Sequence, residues 1–216
     1  MSATCLAPVR QSQIRESLGI QIAERLAAAV ILLAISPALT FIAVVTWLLS
    51  GRSPLVAHLR VGHRGRPLWV FKYRTMWDRP ARNWGFRWVE YLPANGSVAK
   101  SVDDPRVTSR FARFCRRHSL DELPQLLHVA RGEMSFVGPR PITSSEIDEY
   151  YRDHAAEVLS ARPGLTGLWQ IRGRNRLTYR QRLRLDLFLV RRGCASLYFR
   201  VLLATLPRVL TGKDAW

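Results

Sequence analysis

The clearest pattern along the chain is an uncharged run, LAAAVILLAISPALTFIAVVTWLL, from Leu26 to Leu49. As a helix rising about 1.5 Å per residue, it exceeds the roughly 30 Å hydrocarbon core of a bilayer. It is too long, begins too late and lacks the small-x-small site of a cleaved signal peptide, so it reads as a retained anchor. Ser36-Pro37 sits at its centre, where proline removes a backbone donor and disturbs the preceding turn. Both flanks are basic, with Arg10, Arg15 and Arg25 before the run and Arg52, Arg60, Arg64 and Arg66 after it, which draws both ends toward the cytoplasm. A kinked single span and a helix that enters, bends at Ser36-Pro37 and leaves by the same face both satisfy this pattern. The residues alone leave both open.

Beyond the run the period changes. SPLVAHLRVGHRGRPLWVFKYRTM alternates apolar and polar residues about the turn from Gly62 to Pro67, predicting a β-hairpin with strands near Leu55–Val61 and Leu68–Tyr73. Residues 77–105 hold no sustained period and read as a long loop. Helices are predicted over Ser109–Arg117, Leu120–Ala130 and Ser144–Ser160, before a Gly- and Arg-rich loop, RPGLTGLWQIRGRNR. Tyr179, Leu183, Leu187 and Val190 form one helical stripe bordered by Arg180, Arg184 and Arg191. The plainer reading is a core-packing stripe beside a solvated edge, and the alternative is a helix lying in a membrane interface. Tyr198–Leu210 is apolar on most sides but too short to span, so it should lie against lipid or the core.

Composition narrows the class. The 216 residues carry 33 Lys+Arg against 16 Asp+Glu, a formal charge of +17, and all but Lys72, Lys100 and Lys213 of the basic residues are arginines. An anionic partner follows, be it nucleic acid, lipid headgroup or phosphorylated substrate. At 48% hydrophobic the chain is too apolar for a disordered protein, and its mean hydropathy of -0.06 is too polar for a multi-span one. Cys5, Cys115 and Cys194 match neither a disulfide framework nor a paired-Cys zinc site, which points to a reduced, cytosol-facing compartment.

The candidate chemistry concentrates in RRHSLDELPQLLHVARGEMSFVGPRPI, Arg116 to Ile142. Ser119 and Glu122 have capping-box spacing, and on that reading the acids only start a helix. The same helix start, with Arg116 and Arg117 just before it, also reads as an anion site beside an ionised Asp121. Adjacent helical residues point about 100° apart, so Asp121 and Glu122 suit separate tasks, one attacking phosphorus and one holding a metal such as Mg²⁺. His58, His63, His118, His128 and His154 lack metal-ligand spacing and are expected in surface or loop roles. In VGPRPI, Pro139 and Pro141 stiffen the backbone about Arg140, as phosphate recognition or a plain rigid connector would use. No Walker loop or GxGxxG is present.

Together the apolar Ser36-Pro37 segment, FKYRTM (71–76), DPRVT (104–108), SLDELPQL (119–126), RGEMSFVGPRP (131–141) and RPGLTGLWQIRGR (162–174) resemble the bacterial sugar transferase family. These are the monotopic polyprenyl-phosphate phosphoglycosyl transferases, here in minimal catalytic form. The resemblance implies an α+β, mainly helical fold with a re-entrant helix, interfacial amphipathic helices and a small hairpin. It divides the chain into a basic segment (1–25), a membrane-embedded helix (26–49) and a cytosolic or interfacial catalytic domain (50–216). It implies that Ser36-Pro37 breaks the re-entrant helix, that Asp121 is the nucleophile and that Glu122 serves Mg²⁺. Lys72, Arg116, Arg140, Pro139 and Pro141 then surround the phosphates of a UDP-sugar, and UMP leaves before undecaprenyl (polyprenyl) phosphate takes the phosphosugar. The implied setting is the bacterial inner membrane, cytoplasmic face, with membrane lipid, downstream glycosyltransferases and a homodimer as partners and no nucleic acid.

The chain departs from the family pattern at Gly193-Cys194, at His128 in place of asparagine, and in RGEMS for KGDMS. Two other classes compete: a basic membrane- or nucleic-acid-binding protein, supported by the Arg-rich run from Arg172 to Arg192, and a catalytically silent scaffold.

Overall fold

A single apolar helix dictates how the rest of the chain is arranged. The computed structural model describes residues 18–77, 87–92, 107, 109–173 and 176–212; the expectations resting on Arg10, Arg15, Asp104, Arg106 and Arg174 lie outside them. Helix α1 spans Leu18–Ser50 and starts eight residues before the uncharged run, so it carries Glu24 and Arg25 with it. The expected break at Ser36-Pro37 is not an interruption, because the helix continues through Pro37. Pro37 has no N–H for the Leu33 carbonyl, and the Ser36 hydroxyl donates to that carbonyl instead at 2.8 Å. The Thr40 hydroxyl donates to the Ser36 carbonyl one turn on, at 3.0 Å.

Both halves of α1 are held by the same body. In the first half Ala28 packs with Leu68, Val70, Val129 and Met134. Glu24, 5% exposed, accepts from the Ser135 hydroxyl, the Phe136 N–H at 3.1 Å and the Tyr198 hydroxyl at 2.7 Å, and it pairs with Arg162 at 2.7 Å. In the second half Ile42 packs with Tyr73 and Cys115, and the Tyr73 hydroxyl donates to the Leu39 carbonyl at 2.7 Å. Val30, Leu33, Phe41 and Leu48 stay exposed between and beyond these attachments. Among the described residues α1 is the one helix long and apolar enough to cross a membrane.

The hairpin forms where alternation predicts it, β1 at Leu55–Val61 and β2 at Pro67–Tyr73, antiparallel with Ala57 opposite Phe71. The segment expected to be only loop contributes a third strand, β3 at Val89–Leu92, parallel to β1. The sheet order β2-β1-β3 leaves β2 on an edge. Arg74 ties β3 in by pairing with Glu90 at 2.5 Å, a contact too distant in sequence for local periodicity to show.

Helix α2 spans Arg110–Arg117, capped by the Ser109 hydroxyl on the Ala112 N–H. The helix expected over 120–130 divides into a 3-10 turn, Leu120–Gln125, and α3, Leu126–Arg131. The capping box expected at Ser119 and Glu122 is absent. Ser119 is left-handed (φ 55, ψ 23) and makes no side-chain cap, whereas a capping residue needs extended backbone. Capping boxes occur instead at Thr143/Glu146 and Thr178/Gln181. The first opens the 144–160 region, which is four short pieces rather than one helix: α4 Ser144–Glu146, a π turn Ile147–Tyr151, a 3-10 turn Arg152–His154 and α5 Ala155–Leu159.

A second, parallel pair of strands, β4 at Ser135–Val137 and β5 at Gly164–Thr166, lies in segments with no strand-like alternation. Helix α6, Leu168–Arg172, follows β5. In α7, Tyr179–Arg192, Leu183 and Leu187 are buried with Ile142, Tyr151 and Val158, the core-packing alternative. Helix α8, Ala195–Thr211, buries Val201 and exposes Phe199, Leu203 and Leu206. The architecture is thus mainly helical with two small sheets.

A buried charge stripped of its partner is strongly destabilising. Glu24→Ala should therefore lower the unfolding free energy by about 3 kcal/mol, seen as a lower melting temperature of the detergent-solubilised protein. Glu24→Gln, which still accepts from Ser135 and Tyr198, should lose less.

Candidate functional site

A cleft of about 1340 Å³ runs between the β1–β2 hairpin, the 120–125 turn and the start of α7. Asp121, Glu122, Lys72, Arg116, Arg140 and Pro141 all line it, so six of the expected site residues meet there. Pro139 does not line it; its carbonyl accepts the Gly164 N–H at 2.9 Å, a supporting role behind the arginine. Ser36 and Pro37 are exposed on α1 and also lie outside the lining.

Strand β2 sends Lys72 into the cleft, where its ammonium meets Glu122 Oε1 at 2.6 Å, both side chains about a quarter exposed. The pair closes the hairpin onto the 120–125 turn. Pro124 lies inside that turn and, lacking an N–H, favours a short turn over a regular helix start. The anion site expected from a helix N-terminus is therefore not how the acids are held. Side-chain cations supply the positive field. Cys115, behind Asp121, has its thiol pushed up to about 11 by burial and by the Asp121 charge. It stays protonated at neutral pH.

Arg140 is aimed by two glycines. The Gly138 N–H donates to the Thr166 carbonyl and the Gly164 N–H to the Pro139 carbonyl, each at 2.9 Å. A Cβ on Gly164 would sit 1.9 Å from the Gly138 nitrogen, and one on Gly138 would sit 2.4 Å from the Gly164 nitrogen. Only two bare backbones can pass that closely. The guanidinium carbon of Arg140 lies 4.9 Å from the Trp169 ring centre, and that of Arg182 lies 5.6 Å from Trp169 and 5.2 Å from Tyr179. Nε of Arg140 is buried without a hydrogen-bond partner.

Arg60, Arg182, Trp169, Tyr179 and Glu146 also line the cleft, a place that no local pattern in the sequence gives them. Arg60 and Arg182 both titrate below the ordinary arginine range, first through burial and then through the charge of Arg140, with Glu146 working the other way. The described lining holds eight arginines and Lys72 against Asp121, Glu122, Glu146 and Glu149. Such a cleft is built to receive an anion of more than one charge. His128 also departs from its expected surface or loop role: it is 2% exposed on α3, with Nδ1 2.5 Å from Glu133.

Among the described residues no group of three or more His, Cys, Asp or Glu side chains could hold a metal ion. Asp121 and Glu122 remain as a pair of oxygen donors. That set suits Mg²⁺, which keeps waters and shares its ligands with substrate phosphates, better than a metal needing a full protein cage.

The family described as bacterial sugar transferase matches residues 16–212. The chain belongs to that family. Exopolysaccharide production protein ExoY of Sinorhizobium fredii is 37% identical over 86% of this chain and 82% of its own length. ExoY of Rhizobium meliloti is 37% identical over 88% and 85%. The undecaprenyl-phosphate galactose phosphotransferase of Salmonella typhimurium is 36% identical over 77% of this chain but only 35% of its own, longer sequence. The matched segment takes in α1 and every residue of the transferase's cleft.

Because Gly164 has no room for a methyl group, Gly164→Ala should force β5 from β4, displace Arg140 and destabilise the transferase by about 3 kcal/mol. Thermal unfolding checks the stability, and weaker protection of Cys-substituted Arg140 sites against a thiol reagent checks the displacement.

Proposed function

We propose that this transferase moves a sugar phosphate from a UDP-sugar to a polyprenyl phosphate, as a polyprenyl-phosphate phosphoglycosyl transferase. The observation that carries the reading is one cleft in which Asp121 and Glu122 face Lys72, Arg116 and Arg140, in a body attached along an apolar helix. The names of the relatives support it, since they include a UDP-galactose-lipid carrier transferase and undecaprenyl-phosphate galactose and glucose phosphotransferases.

In the first step a carboxylate oxygen of Asp121 attacks the phosphorus that carries the sugar, and the bond from that phosphorus to the UMP oxygen breaks. UMP leaves with the electron pair, and the sugar phosphate is held as a mixed anhydride on Asp121. An oxygen of the polyprenyl phosphate then attacks the same phosphorus, the anhydride bond breaks, and the Asp121 carboxylate is regenerated. Lys72 and the Arg116 and Arg140 guanidiniums offset the charge gathering on the phosphate oxygens, and the arginine forks also orient them. Lys72 holds Glu122 in place at the same time. Mg²⁺, when bound, would be held by Glu122 and would polarise the diphosphate.

Storing the sugar phosphate on the protein suits two substrates that live in different phases. The lipid headgroup reaches only the bilayer surface, and α1 brings the cleft there. Glu24 near its start and Leu39 beyond its middle both bond to the same body, which supports reading α1 as a re-entrant anchor with both ends on the cytoplasmic face of the inner membrane. Exposed Phe199, Leu203 and Leu206 of α8 extend the lipid-facing surface. The product, a polyprenyl-diphospho-sugar, passes to downstream glycosyltransferases in exopolysaccharide or related glycan assembly, and a homodimer is the proposed assembly.

Purified protein with Mg²⁺, a panel of UDP-sugars and polyprenyl phosphate should release UMP with at least one donor. Asp121→Asn should reduce that release by about 1,000-fold or more, and turnover at the parental rate would remove Asp121 from its role. For the anchor, single cysteines at Gly19 and Arg64, in a background without Cys5, Cys115 and Cys194, should both react only from the cytoplasmic side. Periplasmic labelling at Gly19 would establish a crossing.

A further inference from the structure

The side chain of His128 lies against the open edge of β2, next to the residue that enters the cleft. Because the sheet runs β2-β1-β3, β2 has one edge without a neighbouring strand. Phe71 lies on it opposite Ala57, and its N–H, turned away from β1, donates to His128 Nε2 at 3.3 Å. The two rings stack with centres 4.8 Å apart at 28°. The other imidazole nitrogen, Nδ1, faces Glu133 Oε2 at 2.5 Å. The His128 carbonyl in turn accepts from the N–H groups of Glu133 and Met134 at 2.9 and 3.1 Å. One residue beyond Phe71, Lys72 makes its 2.6 Å contact with Glu122.

We infer that His128 and Glu133 are positioning residues for the cleft, a pair that fixes the imidazole tautomer so that Nε2 accepts from Phe71 and thereby sets Lys72 against Glu122. Nε2 can accept only while unprotonated, and a proton on Nδ1 donated to Glu133 secures that state. Glutamate thus selects the tautomer and the tautomer holds the strand edge. Protonation of Nε2 removes the acceptor that the Phe71 N–H uses and lets the ring donate to the Trp69 backbone instead, which breaks the tie to Phe71 and loosens Lys72. The charged groups around the ring are Glu133 and Arg131, which act on it directly, Arg25 of α1, whose Nε reaches the carbonyl of Ala130, and Lys72 of β2. Burial outweighs the pull of Glu133 and places the titration of His128 below the ordinary 6.5. The folded state therefore favours the neutral ring, and its contribution is complete above 6.5 and fades as pH falls.

The effect on turnover rests on the proposed transfer reaction, so the test has one arm that needs no turnover. In ¹⁵N-histidine NMR of the full chain in nanodiscs, the signal lost in His128→Asn should report a neutral ring at pH 7.5 with Nδ1 protonated and Nε2 bare. A ring protonated at Nε2 overturns the inference. In the UMP-release assay, His128→Phe keeps a stacking ring without the acceptor and should lower kcat about tenfold, with KM for the UDP-sugar changed less than about twofold. His128→Asn restores a side-chain acceptor, should recover most of kcat, and should lose the part of the acid limb that belongs to His128. Parental kcat in His128→Phe, or an unchanged acid limb in His128→Asn, overturns it. Absence of turnover in the parent defeats the transfer reaction, and the tautomer then decides the inference by itself.

Discussion

A carboxylate buried on a long, mostly apolar helix is the constraint from which the arrangement follows. Burying a carboxylate without partners is costly, and four groups from three separate segments converge on Glu24: Ser135 and the Phe136 N–H, Arg162, and Tyr198. Those segments are β4 with the residue before its end, the approach to β5, and α8. Fixing them to α1 fixes the β4–β5 pair, and the β4–β5 pair carries the Gly138–Gly164 contact behind Arg140. The long apolar helix and the cleft arginine Arg140 are thus parts of one packed unit.

The cleft has the electrostatics of a site completed by its ligand. Arg60, Arg140 and Arg182 crowd one end, and burial together with mutual repulsion lowers the charged-state preference of Arg60 and Arg182. Trp169 and Tyr179 present ring faces to two of these guanidiniums, and buried Glu146 balances part of their charge. A diphosphate entering this end would relieve the repulsion.

Local sequence rules captured what depends on near neighbours. The alternation of Leu55–Val61 and Leu68–Tyr73 gave the hairpin, and the stripe of Leu183 and Leu187 found the core. Motif resemblance brought Lys72, Arg116, Asp121, Glu122 and Arg140 to one list before the structure put them in one cleft. What escaped depends on partners distant in the chain. β3 is held by Arg74 and Glu90, β4 and β5 are too short to show a period, and Glu24 falls within the basic segment 1–25, where nothing local marks it as buried. Ser119 and Glu122 have the right spacing for a cap, but the left-handed backbone at Ser119 and the pull of Lys72 on Glu122 prevail over it. Trp169 lies within the RPGLTGLWQIRGR motif and Arg182 in the Arg-rich run, but neither is marked there as a site residue; the stacking of Arg140 and Arg182 on Trp169, and of Arg182 on Tyr179, places both in the cleft.

The central claim is a covalent bond between one carboxylate and a sugar phosphate. Incubating the transferase with its UDP-sugar but no lipid acceptor, quenching in acid and mapping peptides by mass spectrometry tests it most directly. The account predicts a mass increase equal to one sugar phosphate, confined to the peptide bearing Asp121 and discharged when polyprenyl phosphate is added before the quench. An enzyme that turns over with no such adduct, or an adduct on another side chain, would contradict it.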